Sequence, residues 1–282
     1  MQTVRTALRW ASEQLSQAGV ESPSVDAERL IQHVLDGTRL DLHLHPDRPI
    51  PPPEMACLKD ALRRRCSHTP LQHLTGETEF WSLPFFVNNA VLIPRPETET
   101  LVEAALARLR DIPYPRIADV GTGSGCIAVS LARELPEGLI IATDVSPAAL
   151  RVARANVLRN GVRVRLIAGD LFEPFGPSAQ FDAIVSNPPY IRHDGIEALQ
   201  PEVRDHEPRL ALDGGEDGLS VHRRLVACAG RHLRSGGWLA LEVGWWQIGA
   251  VVEMLRESGD FEAVTRHRDL AGVERVSVAR RR

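Results

Sequence analysis

Several features are scarce in this sequence, and each scarcity closes off a class of protein. There are four cysteines in 282 residues, Cys57, Cys66, Cys126 and Cys228, and no two stand at C-x-x-C spacing. A disulfide framework or a cysteine-based zinc site is therefore not expected, and the thiols read as buried or incidental. No apolar run approaches the roughly 18 residues of a membrane-spanning helix. Arg5, Arg9 and Glu13 break up the first apolar stretches, so no signal-peptide core is present. There is no basic excess. Net charge is −4 and the isoelectric point lies near 6.2, whereas proteins that grip long nucleic acid through many phosphates are usually basic on at least one face. His43, His45, His68 and His73 show no ligand spacing, so no metal is expected. These exclusions leave a cytoplasmic globular protein with no membrane partner and no direct nucleic-acid binding.

The chain is long enough for one large domain or two smaller ones, and its pattern changes twice. Residues 1–72 read as a small helical unit. Val4, Leu8, Ala11 and Leu15 fall on one helical face, as do Ala27, Leu30, Ile31 and Val34 after Ser22-Pro23-Ser24; Pro51-Pro52-Pro53 opens a third helix. Arg63-Arg64-Arg65 at its end reads as a solvated C-terminal turn complementing the helix dipole. Residues 73–95 read as a β-hairpin connector, with Glu79-Phe80-Trp81 and Phe85-Phe86-Val87 flanking a turn. From residue 96 to 282 strands and helices alternate, which implies a doubly wound, mostly parallel sheet.

In such sheets ligands bind at the carboxyl ends of the strands. The suspicious residues gather there: Gly121-Thr122-Gly123-Ser124-Gly125 after the first strand, Asp144 after the second, Asp170-Leu171 after the third and Asn187 after the fourth. The glycines let backbone approach a ligand closely. A carboxylate at Asp144 can accept both hydroxyls of a ribose, and Asp170-Leu171 would flank an adenine ring. The spacing is G-x-G-x-G rather than G-x-G-x-x-G, which favours S-adenosylmethionine over a dinucleotide.

Asn187-Pro188-Pro189-Tyr190 carries the reaction class. Two prolines fix φ and remove two backbone donors. What remains is a rigid turn of acceptors, the Asn187 side-chain oxygen and the Asn187 and Pro188 carbonyls, beside the flat ring of Tyr190. A planar NH₂ group needs two acceptors and has a face that can lie on a ring. The turn is therefore suited to an amino or amide nitrogen. Ile93-Pro94-Arg95-Pro96-Glu97-Thr98-Glu99 reads either as a helix start or as a loop over a ligand. Trp245-Trp246 reads as core or rim packing rather than a substrate platform.

These motifs together resemble the HemK/PrmC family, the protein-glutamine methyltransferases that modify peptide-chain release factors. The likeness covers nearly the whole chain: Ser24–Leu30, Leu74-Thr75-Gly76, Leu92–Glu99, Asp119–Gly125, Asn187–Ile191, Glu207-Pro208-Arg209, Ala211–Gly215, Glu242-Val243-Gly244, Gln247 and Asp269–Gly272. It implies a Rossmann-like seven-stranded methyltransferase domain with an antiparallel last strand. It also implies an N-terminal helical domain that binds the release factor. Gly121, Thr122, Gly123, Ser124, Gly125 and Asp144 would bind S-adenosyl-L-methionine. Asn187 would touch cofactor and substrate, with Pro188, Pro189 and Tyr190 completing a glutamine pocket. Leu171 departs from family members that carry Trp there, which weakens stacking on adenine. A ribosomal-protein glutamine or an exocyclic amine of nucleic acid stands as the alternative acceptor.

Overall fold

In a computed structural model, which describes residues 2–282, the chain divides into two compact units. The first comprises the residues up to Gly76 together with Gln200–His206; the second comprises Glu77–Leu199 and Glu207–Arg282.

The first unit is helical: α1 (Val4–Gln17), α2 (Pro23–Leu35), α3 (Arg39–Leu44), α4 (Pro52–Cys66) and α5 (Leu71–Thr75). Thr3 and Thr6 form a reciprocal capping box at the start of α1, which satisfies donors that the first turn leaves open. Pro23 opens α2, and Asp36 in the left-handed region closes it. Val4, Ala7, Ala11 and Leu15 of α1 bury against Ala27, Leu30 and Ile31 of α2 and Leu58 and Leu62 of α4. The basic triplet does not behave as one solvated turn. Arg63 is exposed and pairs with Asp60, but Arg65 is buried, its side chain 9% exposed. Its guanidinium donates to Asp26 at 2.7 Å and to Glu202 at 3.0 Å. Glu202 lies on α9 (Pro201–Arg204), so a segment from far along the chain completes this unit through an ion cluster that local sequence did not reveal.

In the second unit the hairpin β1 (Glu77–Phe80) and β2 (Leu83–Phe86) precedes α6 (Glu99–Leu109). The Val91-Leu92-Ile93 stretch that follows the hairpin forms no strand. The main sheet has seven strands: β3 (Arg116–Val120), β4 (Leu139–Asp144), β5 (Val164–Ala168), β6 (Phe181–Ser186), β7 (Leu233–Glu242), β8 (Phe261–Arg268) and β9 (Glu274–Arg281). Their order is β5-β4-β3-β6-β7-β9-β8, with β9 antiparallel to both neighbours and the other pairings parallel. Helices α7 (Cys126–Glu134) and α8 (Pro147–Arg159) join α6 on one face; after the short α10 (Arg209–Leu212), α11 (Ser220–His232) and α12 (Ile248–Glu257) cover the other. The two-residue period of a strand shows directly: Ile117, Ala183 and Val185 face one core, Ala118, Val120 and Ile184 the other. β5 lies at the sheet edge and none of its residues is fully buried. Strand order reverses between β3 and β6, which opens the crevice at their carboxyl ends. Among the described residues no helix is long and apolar enough to cross a membrane, and no cluster of potential metal ligands occurs.

The Arg65 cluster makes a stability prediction. Arg65→Met removes the cation and leaves Asp26 buried and unpaired, a loss of about 3–5 kcal/mol for a broken buried pair. Urea unfolding should show a clearly lowered midpoint for Arg65→Met, whereas Arg63→Met, at an exposed site, leaves it unchanged.

Candidate active site

The crevice between β3 and β6 widens into a cavity of about 290 Å³. Its floor is the glycine turn after β3. Asp119, fully buried, holds that turn from behind. Its carboxylate accepts the Thr122 hydroxyl at 2.6 Å and the Ala128 amide at 3.2 Å. Burial pushes its pKa up to about 7, with those two donors opposing. Gly121 and Thr122 both donate their amides to the Thr143 carbonyl at 2.9 Å, pinning the turn to β4. Gly121 and Gly123 have φ of +76° and +55°, and no atom lies within 4 Å of where a Cβ would stand. The backbone therefore curls into a conformation that disfavours side chains and keeps the space above it open.

Asp144 at the end of β4 faces the same cavity. The Gly123 amide donates to one of its oxygens and the Ser146 amide to the other, both at 2.8 Å. Burial raises its pKa and the two amides work against that rise. Each carboxylate oxygen has a second lone-pair direction, so the pair of hydroxyls of a ribose can still be accepted. Asp170 lies farther round and is paired with Arg224 at 2.7 Å. Leu171, beside it, lines the cavity with φ of +49°, an uncommon conformation for a leucine.

The other wall is the Asn187 turn. Ser186, just before it, donates its hydroxyl to the Val120 carbonyl at 2.6 Å, tying the ends of β6 and β3 together. Asn187, Pro188 and Pro189 line the cavity. The Asn187 Nδ2 donates to Thr98 Oγ1 at 3.2 Å, which turns the amide nitrogen into the protein and leaves Oδ1 as the cavity-side acceptor. Behind these two stands Glu242, the last residue of β7, 2% exposed. The Thr98 hydroxyl and the Asn187 amide both hydrogen-bond its carboxylate, while burial drives its pKa up to about 7. The Tyr190 carbonyl accepts from Gln247 Nε2 at 3.0 Å. Gly218 packs against the same carbonyl; a Cβ there would stand 2.4 Å from it. Burial pushes the Tyr190 phenol up to about 12, so it stays protonated. Thr98 arrives on the Ile93–Glu99 segment, which folds as a loop and a short 3-10 turn over the cavity, fastened by Arg95 to the buried carboxylate of Glu207.

The residues singled out from sequence thus converge, with two exceptions in placement. Gly125 stands behind the wall, capping α7 and packed against Ala153. Tyr190 contributes its backbone and turns its ring edge-on to Trp246, centroids 6.4 Å apart. Trp245 and Trp246 are 59% and 49% exposed, so they form a rim rather than a core. The sequence reading assigned no role to Thr98, Gly218, Glu242 or Gln247. Glu242 had a usable signal, since it ends a strand as Asp144 and Asn187 do. Thr98 and Gln247 fall in stretches shared with the family, but nothing in the sequence shows what these two or Gly218 meet, because their partners lie 28 to 89 residues away.

Comparison with known proteins follows the same outline. Residues 6–76 match the family model for the PrmC N-terminal domain, and residues 98–205 the methyltransferase small domain. The chain is 43% identical to a release factor glutamine methyltransferase of Geobacter sulfurreducens over 275 residues, 97% of this chain and 95% of that one. It is 45% identical to one of Moorella thermoacetica over 282 residues, 99% of each. Among solved structures it resembles a methyltransferase from Pyrococcus furiosus, with a TM-score of 0.53 and 21% identity over 71% of this chain and 88% of that one. It also resembles the hMettl16 catalytic domain in complex with the MAT2A 3'UTR hairpin 6, with a TM-score of 0.59 and 19% identity over 79% and 82%. Those two likenesses concern the fold.

The cavity makes a binding prediction. Calorimetry should show that S-adenosylmethionine binds and NAD does not. Asp144→Ala should weaken that binding by about 1.5–3 kcal/mol, the usual worth of hydrogen bonds to a charged acceptor.

Proposed function

The chain belongs to the release factor glutamine methyltransferase family, and from that premise we propose that it moves a methyl group from S-adenosylmethionine to the side-chain amide nitrogen of a glutamine in a peptide-chain release factor. The observation that carries this reading is the Asn187 turn, where Thr98 takes up Nδ2 and leaves Oδ1 to accept, on a proline-stiffened frame that lines an apolar cavity.

The cofactor fits the cavity. The open glycine turn accepts close approach, Asp144 offers lone pairs for a ribose, and Leu171 offers an apolar surface for a base. When bound, S-adenosylmethionine supplies a methyl group on a cationic sulfur. The protein's task is placement. An amide nitrogen is a poor nucleophile because its lone pair is delocalised into the carbonyl. Asn187 Oδ1 and the Pro188 carbonyl take its two hydrogens and turn the lone pair toward the incoming carbon. Holding reactants in line accounts for roughly 7–11 kcal/mol of barrier at best, and the same acceptors favour the positive charge that develops on nitrogen. The methylated nitrogen is then strongly acidic, so its proton leaves to solvent without a dedicated base. Accordingly, among the described residues no histidine or lysine lines the cavity.

The helical unit up to about residue 76, together with Gln200–His206, is the part we assign to recognition of the protein substrate. It carries none of the cavity residues. This assignment, and a cytoplasmic location alongside translation, rest on the family likeness and on the division of labour between the two units.

Two measurements test this reading. Asn187→Ala removes one positioned acceptor and should lower kcat on a release factor by about 10²–10³-fold. Asn187→Asp should keep cofactor affinity yet turn over poorly, because the added charge stabilises the ground state as well as the transition state. Wild-type rates in Asn187→Ala, or labelling of a ribosomal protein or RNA instead of a release factor in extract, would overturn it. Removing residues 1–76 should abolish methylation of the intact release factor.

A further inference from the structure

An amide side chain has an acceptor end and a donor end of nearly equal shape. A site that needs the oxygen of Asn187 in the cavity must prevent the amide from turning over. Little at the cavity itself does so; the discrimination comes from behind. Asn187 Nδ2 donates to Thr98 Oγ1, Thr98 and Asn187 both hydrogen-bond the carboxylate of Glu242, and Thr98 is 2% exposed and Glu242 2%. A hydroxyl is ambivalent, since it donates and accepts. An ionised carboxylate is not; it only accepts. It accepts from Asn187 Nδ2 directly and from the Thr98 hydroxyl as well, so Thr98 presents its lone pair to Asn187 and Nδ2 must point inward. Glu242 Oε2 has no hydrogen-bonding partner among the described residues although it is buried. A buried charge with a bare oxygen is costly to keep, and stability alone does not explain it.

We propose that Glu242 is a positioning residue that sets the orientation of the Asn187 amide, and so decides whether the cavity presents an acceptor or a donor to the glutamine NH₂. This rests on the glutamine-methylating role of Asn187 given above. The polarity of the row depends on the proton at Glu242. Protonated on Oε1, the oxygen that otherwise takes both donors, the carboxyl can donate to Thr98, whose hydroxyl can then donate to Asn187 Oδ1, and the amide turns its nitrogen to the cavity. There two amino groups face each other and the lone pair is no longer aimed.

The groups around Glu242 come from five elements. Arg275 on β9 lowers its pKa, and Glu97 on the Ile93–Glu99 segment raises it. Tyr190 after β6 and Cys126 on α7 are both pushed up to about 12, partly by Glu242 itself. His222 on α11 meets the Glu242 backbone carbonyl through Nε2 at 2.9 Å, and its burial favours the neutral ring. None of the tyrosine, cysteine or histidine changes charge near neutral pH, whereas Glu242 does so at about 7. Asp119, also at about 7, is the other candidate for a neutral transition, and it lies under the glycine turn, away from this row. For a carboxyl group raised by burial, the acid form prevails below the transition and the carboxylate above it. The productive orientation therefore belongs to the alkaline side.

The test uses the whole protein and two readouts. Without cofactor, the side-chain NH₂ signals of ¹⁵N-asparagine-labelled protein should include one pair, assigned through its absence in Asn187→Ala, that shifts with a midpoint near neutral pH. In Glu242→Gln, whose amide both donates and accepts, that shift should vanish. With release factor and S-adenosylmethionine at saturation, the wild-type rate should rise through a neutral limb. Glu242→Gln should lose the limb and run about tenfold slower on the alkaline side, with cofactor affinity unchanged. Thr98→Ser keeps the hydroxyl and should keep the limb, and Thr98→Val should not. A limb that survives in Glu242→Gln belongs to another buried group and overturns the proposal, as does a wild-type Asn187 signal that ignores pH. The magnetic-resonance readout needs no substrate, so it judges the Glu242 row even if the release factor proves not to be the acceptor. It also needs only the wild-type and Asn187→Ala proteins should Glu242→Gln fail to fold.

Discussion

The hydrogen bond from Asn187 Nδ2 to Thr98 Oγ1 ties the turn after β6 to the segment folded over the cavity. Much of the surrounding structure is arranged around keeping that contact in place. Thr98 must reach the end of β6, so the segment that carries it is folded over the crevice and fastened by Arg95 to Glu207. Glu207 is itself nearly inaccessible, and burial raises its pKa against the pull of the arginine. The turn that carries Asn187 is held from the other side. Gln247 donates to the Tyr190 carbonyl while its own Oε1 accepts the Gly244 amide, and Gly218 leaves room for that carbonyl. Ile191 then exchanges backbone bonds with Leu212 and Gly214. Three segments far apart in sequence thus clamp one rigid turn.

A common device recurs at the strand ends. Asp119, Asp144 and Glu242 are carboxylates that take up donors from behind or beneath the cavity wall. Asp119 shapes the glycine turn, Asp144 joins that turn to the start of α8 and still faces the cavity, and Glu242 stands behind Asn187. Each pays a desolvation penalty, visible as a raised pKa. Carboxylates suit this work because they accept from several donors at once and in a fixed sense. The free energy lost on burial is offset by a cavity whose remaining acceptors are pre-aligned, which is where electrostatic catalysis draws its advantage.

The helical unit shows a parallel case. Arg63-Arg64-Arg65 looks uniform as a string, yet Arg65 alone reaches Asp26 and Glu202. Its partner Glu202 belongs to a segment that follows the Asn187 turn in sequence. Charge in a helix C-terminal turn reads locally as dipole compensation, and only a distant chain segment converts one member of the triplet into the centre of a buried cluster.

The sequence by itself determined the alternation of strand and helix, the glycine turn, Asp144, and the acceptor chemistry of Asn187-Pro188-Pro189. These are local properties: periodicity, the missing donors of proline and the side-chain freedom of glycine act within a few residues. It did not reveal that β5 is an edge strand, that Gly125 stands behind the cavity wall, or that Trp246 meets Tyr190 at an exposed rim. Nor did it reveal that Thr98, Gly218, Glu242 and Gln247 surround the Asn187 turn. Strand order and burial depend on how distant segments pack, and a hydrogen-bond partner 89 residues away leaves no periodic trace. The tertiary structure alone decided which end of Asn187 faces the cavity, because that choice is made by a carboxylate on another strand.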